Sequence, residues 1–207
     1  MTQISESDYK TAQEGDSQSR QKFIESMDLG ELRKIVPIVL YFPMGLKQSP
    51  YTQMSCIPID ALGLNLDKSP THKSLIGIYP SAFEMSLGIF RSVLIDHEGY
   101  HARQNHLYPQ AVNKIEKLIL SLPREKTREL KSVLEIPAYL YQINNMGKNN
   151  FDPDFTQVSY GLAREISTFL NAEKKYPGRL MPLLESVVDE KELAEINQIF
   201  DNYRKLA

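Results

Sequence analysis

Tryptophan is absent from this chain of 207 residues, and cysteine occurs once, at Cys56. A single thiol excludes a disulfide framework and a cysteine-rich metal knuckle, and Cys56 reads as a buried, inert side chain. Long apolar runs are missing too: nothing approaches the roughly 20 residues that a membrane-spanning helix needs. Met1 to Arg20 is rich in Ser, Gln, Glu, Asp and Lys and lacks the hydrophobic stretch of a secretory signal. These absences predict a cytoplasmic protein with no membrane partner. Neither sign of charge dominates, since 24 Lys and Arg stand against 26 Asp and Glu, for a net charge of -2. No basic block recurs along the chain, which excludes a phosphate-backbone binder and hence a nucleic-acid partner. What is present is an ordinary apolar fraction of 42%, enough for one domain to bury a core.

The pattern along the chain predicts an α+β fold, with a small, mostly antiparallel N-terminal sheet followed by a helical majority. Residues 1–20 read as a flexible polar lead-in, and 21–207 as a single domain. A short helix is expected over 21–34. Ile35 to Phe42 is β-branched and apolar and reads as a strand, with Pro37 marking an edge or a strand start. Further strands are expected over 53–62 and 74–83. Helices follow over 85–104, 109–120, 123–146 with a break near Pro137, 154–173 and 189–205. Ser121 suits an N-cap ahead of Pro123. Asp189 and Glu192 have the spacing of a capping box, and Leu193, Ile196, Phe200 and Tyr203 recur at helical intervals.

The chemistry concentrates at His97-Glu98-Gly99-Tyr100-His101. On an α-helix, positions i and i+4 lie about 40° apart on one face, so His97 and His101 can offer two imidazole nitrogens to one ion. Glu98 lies about 100° round the helix from His97. Its carboxylate is placed to act on a water beside that ion, as the general base of zinc-assisted hydrolysis. Phe90, Val93 and Leu94 fall on the histidine side of the predicted helix, while Ile95, Gly99 and Ala102 fall on the other. A helix apolar on two sides is a buried one. Gly99 within it implies the close approach of a neighbouring element.

A catalytic zinc takes a third protein ligand. His106 points away from His97 on a continuous helix and would need the chain to turn after His101. The metzincin pattern achieves that turn with a glycine, followed by a third histidine. Here those positions hold Gln104 and Leu107. Glu135, in the string Glu135-Ile136-Pro137-Ala138, is the better candidate, and His106 the alternative.

With H-E-x-x-H at His97–His101 and a later glutamate followed by Ala138, the sequence over about 74–145 resembles the gluzincin type of zinc metallopeptidase. The resemblance implies a zincin-like core. It implies that His97, His101 and Glu135 hold Zn2+, that Glu98 is the base, and that a peptide or protein is the substrate. The larger members carry an aspartate four residues after the ligand glutamate, where this chain has Tyr139. The partner that orients a ligand histidine must therefore come from elsewhere. Such enzymes also use a later Tyr or His as an oxyanion donor, which nominates Tyr139, Tyr141 and, ahead of them, Tyr160. An edge strand placed like Ser74–Phe83 would pair with an extended substrate, and Asn144–Asn150 would form a rim. The alternative is a zinc-binding helical interaction protein without peptidase activity. Oligomeric state has no signature in the sequence.

Overall fold

The computed structural model describes residues 5–44, 53–59, 73–146 and 155–206. It is α+β and mostly helical, with one small sheet. The chain divides into two compact units: Met1–His106 with Asn145–Pro153, and Leu107–Asn144 with Asp154–Ala207.

The first unit opens on helices. From Glu6 onward the chain is helical, as α1 (Glu6–Glu14) and α2 (Ser17–Ser26). Ser5 caps α1 by accepting from the Asp8 amide, and Asp16 caps α2 by accepting from the Ser19 amide. Two apolar residues anchor α1. Ala12 is buried, and Tyr9 packs with its ring centroid 5.3, 6.0 and 5.3 Å from those of Phe23, Phe83 and Phe90. The Tyr9 hydroxyl donates to the Met85 carbonyl at 3.0 Å, and burial pushes its pKa far above the ordinary phenol range. Arg20 donates to the Ala12 and Gln13 carbonyls, placing a cation at the C-terminal end of α1.

A 3-10 turn at Gly30–Lys34 leads into the sheet. Its strands are β1 (Ile38–Tyr41), β2 (Met54–Pro58) and β3 (Ser74–Ile78), in the order β1-β3-β2. β1 runs parallel to β3, with Ile38 opposite Leu75, and β2 runs antiparallel to it, with Cys56 opposite Ile76. The sheet is therefore mixed rather than mostly antiparallel. Strand direction depends on long-range connections, which local composition does not encode. Pro37 stands just before the edge strand β1, as expected. β3 is buried at all five positions and is the central strand, so it is not the open edge expected to receive a peptide. Its near-continuous apolar run suits a strand covered on both faces. Residues 60–62 of the second expected strand lie outside the described residues. Cys56 is half-buried rather than buried, with the Asn105 amide 3.7 Å from its sulfur.

After a 3-10 turn at Pro80–Glu84, Ser86 caps a helical run through Leu107. The run is not uniformly α. It comprises α3 (Leu87–Ser92), a π-helical turn at Val93–His97, and α4 (Glu98–Leu107). The π turn shifts the helical phase, so the apolar face of Phe90 and Leu94 does not continue straight into the histidines.

The second unit is built from α5 (Pro109–Ser121), α6 (Arg124–Met146), α7 (Phe155–Lys175), α8 (Met181–Glu185) and α9 (Glu190–Leu206). Val112, Ile115, Val133, Ile166, Phe169, Leu184, Ile196 and Phe200 form its core, with the Phe169 and Phe200 rings stacked at 5.0 Å. The capping box forms as read: the Glu192 amide donates to Asp189 at 2.8 Å, and the Asp189 amide donates to Glu192 at 3.1 Å. Two expectations are corrected. Ser121 ends α5, its hydroxyl donating to the Leu118 carbonyl, and does not cap α6. α6 also continues through Pro137. The proline removes the N–H that would serve the Val133 carbonyl. Burial of Ile136, Ala138 and Leu140 around it offsets that loss. Residues 147–150 of the expected rim lie outside the described residues; Asn144 to Met146 end α6.

Between α7 and α8, Glu173 accepts the amides of Gly178, Leu180 and Met181, with Gly178 at φ 73°. Gly161 of α7 faces α6, where an added Cβ would stand 2.6 Å from Cε1 of the Tyr139 ring. Gly161→Ala should destabilise the protein by about 1–3 kcal/mol, because the ring must move to admit the methyl. The gain in helix propensity, about 1 kcal/mol, is too small to reverse that sign. The midpoint of urea unfolding checks this, and an unchanged or raised midpoint would contradict it.

Candidate metal centre

His97 closes the π turn, and Glu98 begins α4. The Glu98 amide donates to the Val93 carbonyl, the five-residue reach of a π turn. From His97 onward, residues separated by four or seven positions return to one face. The imidazoles of His97 and His101 accordingly lie 5.0 Å apart between ring centroids, with their planes at 85°. His97 is 7% exposed and Glu98 6% exposed, while His101 is half-buried.

Two contacts seat this segment within its unit. Gly99 lies against Leu32, whose Cδ2 would be 3.1 Å from a Cβ at that position. This is the close approach that a mid-helix glycine implied. Further along, the buried Asn105 amide donates to Ser74 Oγ at 3.0 Å, tying α4 to the start of β3. Ligands on a segment held in this way need little reordering to bind an ion.

His101 has a neighbour on its own face that the sequence reading did not single out. Its Nδ1 lies 3.0 Å from Oε1 of Gln104, a residue 2% exposed. Gln104 stands seven positions after His97 and three after His101, and that spacing was the available signal. His106, the alternative third ligand, sits in the last turn of α4 with its Nδ1 buried and unpartnered.

Glu135 is half-buried on α6, between buried Val133 and Ile136. Among the described residues, His97, His101 and Glu135 form a group in which each offers one ligand atom, all within 4.8 Å of one another. His106 is not part of it. A comparison of the chain with known protein families, curated proteins and solved structures finds no match. The functional reading therefore rests on the residues themselves. Two imidazole nitrogens and a carboxylate oxygen are a donor set suited to zinc, and also to ferrous iron.

The tyrosines are placed less evenly. Tyr160, the favoured oxyanion donor, is 71% exposed on α7. Tyr139 lies one turn beyond Glu135 on α6, with its ring against Gly161. Arg164 of α7 lies in the same electrostatic neighbourhood. It donates to the buried Glu165 carboxylate from Nε at 2.9 Å, and its Nη2 is 2.8 Å from the same oxygen. Burial opposes the charge on Arg164. The hydrogen bond and charge of Glu165, with Tyr139 and Glu135 beyond, nonetheless hold its pKa above the usual guanidinium value.

Proposed function

We propose that His97, His101 and Glu135 hold a divalent ion, zinc by the character of the donors, and that the protein is a metal-dependent hydrolase with Glu98 as general base. The single observation that carries this reading is the grouping of the three ligand atoms within 4.8 Å. A bound zinc would polarise a carbonyl and acidify water at such a centre. Glu98 follows the first ligand directly and is nine-tenths buried, so its carboxylate works where bulk water is scarce. Its role is to take a proton from the attacking water and deliver it to the departing group. Tyr139, on the helix of Glu135, is a further phenol for a developing oxyanion, beside the expected but exposed Tyr160. The substrate class that goes with the gluzincin resemblance is a peptide or protein. β3 is not the strand that would receive it, because both of its edges are already paired.

A second reading is favoured by burial. His97 and Glu98 are 7% and 6% exposed, as in a metal site that only stabilises the fold. On that reading the chain is a zinc-binding interaction protein without peptidase activity. Metal analysis of protein purified without chelator, joined to cleavage of a mixed peptide library, separates the two. Stoichiometric zinc with cleavage supports the hydrolase; stoichiometric zinc without cleavage supports the structural site. Stoichiometric iron would replace zinc in either account.

A further inference from the structure

We propose that Gln104 is the positioning residue of the metal centre, holding His101 in the tautomer that carries its proton on Nδ1 and its ligating lone pair on Nε2. The inference rests on the ligand reading above and adds the group that orients one of the ligands.

A side-chain amide oxygen only accepts hydrogen bonds, so at 3.0 Å the partner of Gln104 Oε1 must be a protonated Nδ1 of His101. A neutral imidazole carries one proton. Placing it on Nδ1 leaves the lone pair on Nε2, which is then the ligand atom. Position in the helix makes the contact a standing one. His101 and Gln104 lie on one stripe of α4, in line with His97 at the end of the π turn, and helical side chains lean towards the N-terminus, so Gln104 reaches back over His101.

The other end of the amide sharpens the case. Gln104 is 2% exposed, yet its Nε2 is buried without a hydrogen-bond partner. Burying an amide N–H in this way is unfavourable for folding, and a methionine or leucine would fill the space without that cost. Packing therefore does not explain a glutamine here, whereas an acceptor for His101 does. The larger members of the family that the motif resembles carry an aspartate on the later glutamate helix, where this chain has Tyr139. Gln104 supplies the contact from the histidine helix itself, and it does so without a negative charge.

The test uses the full chain carrying Gln104→Met, Gln104→Glu or, as a control, His101→Ala. Zinc affinity is measured by competition with a chromophoric chelator. Histidine tautomers are read from 15N–1H correlation spectra of the metal-free protein. Gln104→Met keeps the volume and removes the acceptor. It is expected to bind zinc about 10–100-fold more weakly. Its thermal stability without metal should equal or exceed that of the wild type, since the unpartnered amide is gone. In the wild type the spectra should show His101 protonated on Nδ1, and that preference should be lost in Gln104→Met. Gln104→Glu restores an acceptor and should recover wild-type affinity or better. If Gln104→Met binds zinc as tightly as the wild type while His101→Ala binds none, Gln104 has no positioning role and the ligand assignment survives. An Nε2-protonated His101 in the wild type would likewise overturn the role of Gln104 alone. Wild-type affinity in His101→Ala would instead remove the ligand reading, and this inference with it.

Discussion

Alanine at His97, His101 or Glu135 is expected to abolish stoichiometric zinc binding and, with it, any stabilisation of the fold by added metal. A ligand that binds only the folded chain contributes RT ln(1 + [L]/Kd), or about 2.7 kcal/mol when free zinc is a hundredfold above Kd. For a chain of this length about 1 kcal/mol moves the melting temperature by about 2–4 °C. Saturating zinc should therefore raise the wild-type midpoint by about 5–10 °C, and chelation should reverse the rise. Each variant should show almost none of it. Every variant is compared with its own metal-free form, so a loss of packing on replacing the buried His97 ring does not enter the difference. His106→Ala is the contrasting case. His106 stands outside the ligand group, and its variant should keep the full shift. A shift lost in His106→Ala but retained in Glu135→Ala would move the third ligand to His106.

The parts of this arrangement that the sequence made legible are those set by local periodicity. Two histidines four positions apart share a face wherever the chain is helical, and the reciprocal bonds of Asp189 and Glu192 need only one turn of α9. The nomination of Glu135 as their partner came from the resemblance, not from periodicity. What escaped the sequence depends on partners distant along the chain. α1 buries just Tyr9 and Ala12, so its periodicity is faint. Its stability comes from Phe23, Phe83 and Phe90, which only the folded chain brings to Tyr9. The direction of β1 against β3 depends on the connection between them, and no residue within either strand encodes it. Pro137 illustrates the reverse failure. A local rule predicted a break in α6, but the burial of its neighbours keeps the helix intact. The π turn before Glu98 left no mark in composition, although it sets where the histidines point. Gln104 was legible in principle. Its place on the histidine stripe follows from spacing alone, but its contact with His101 does not.

Glu98→Gln should separate metal binding from turnover. Glutamine keeps the size and polarity of the side chain and removes its capacity to accept a proton. Glu98 is not in the ligand group, so zinc stoichiometry and the thermal shift should match the wild type. General base catalysis contributes typically about 10²–10⁴-fold, and kcat should fall by that factor on any peptide the wild type cleaves, with KM little changed. The pattern matters more than the size of the loss. Reduced kcat with intact metal places Glu98 at the reacting water, whereas parallel loss of metal and rate would make it a support for the site. Burial makes the second outcome a real competitor, because a carboxylate only 6% exposed can also serve to hold neighbouring groups in place. Glu98→Asp distinguishes them further. A shortened base should retain partial turnover, since it can still take a proton through a longer contact. Full activity in Glu98→Gln, with zinc in place, would exclude Glu98 as the general base and require another group to take the proton from the attacking water.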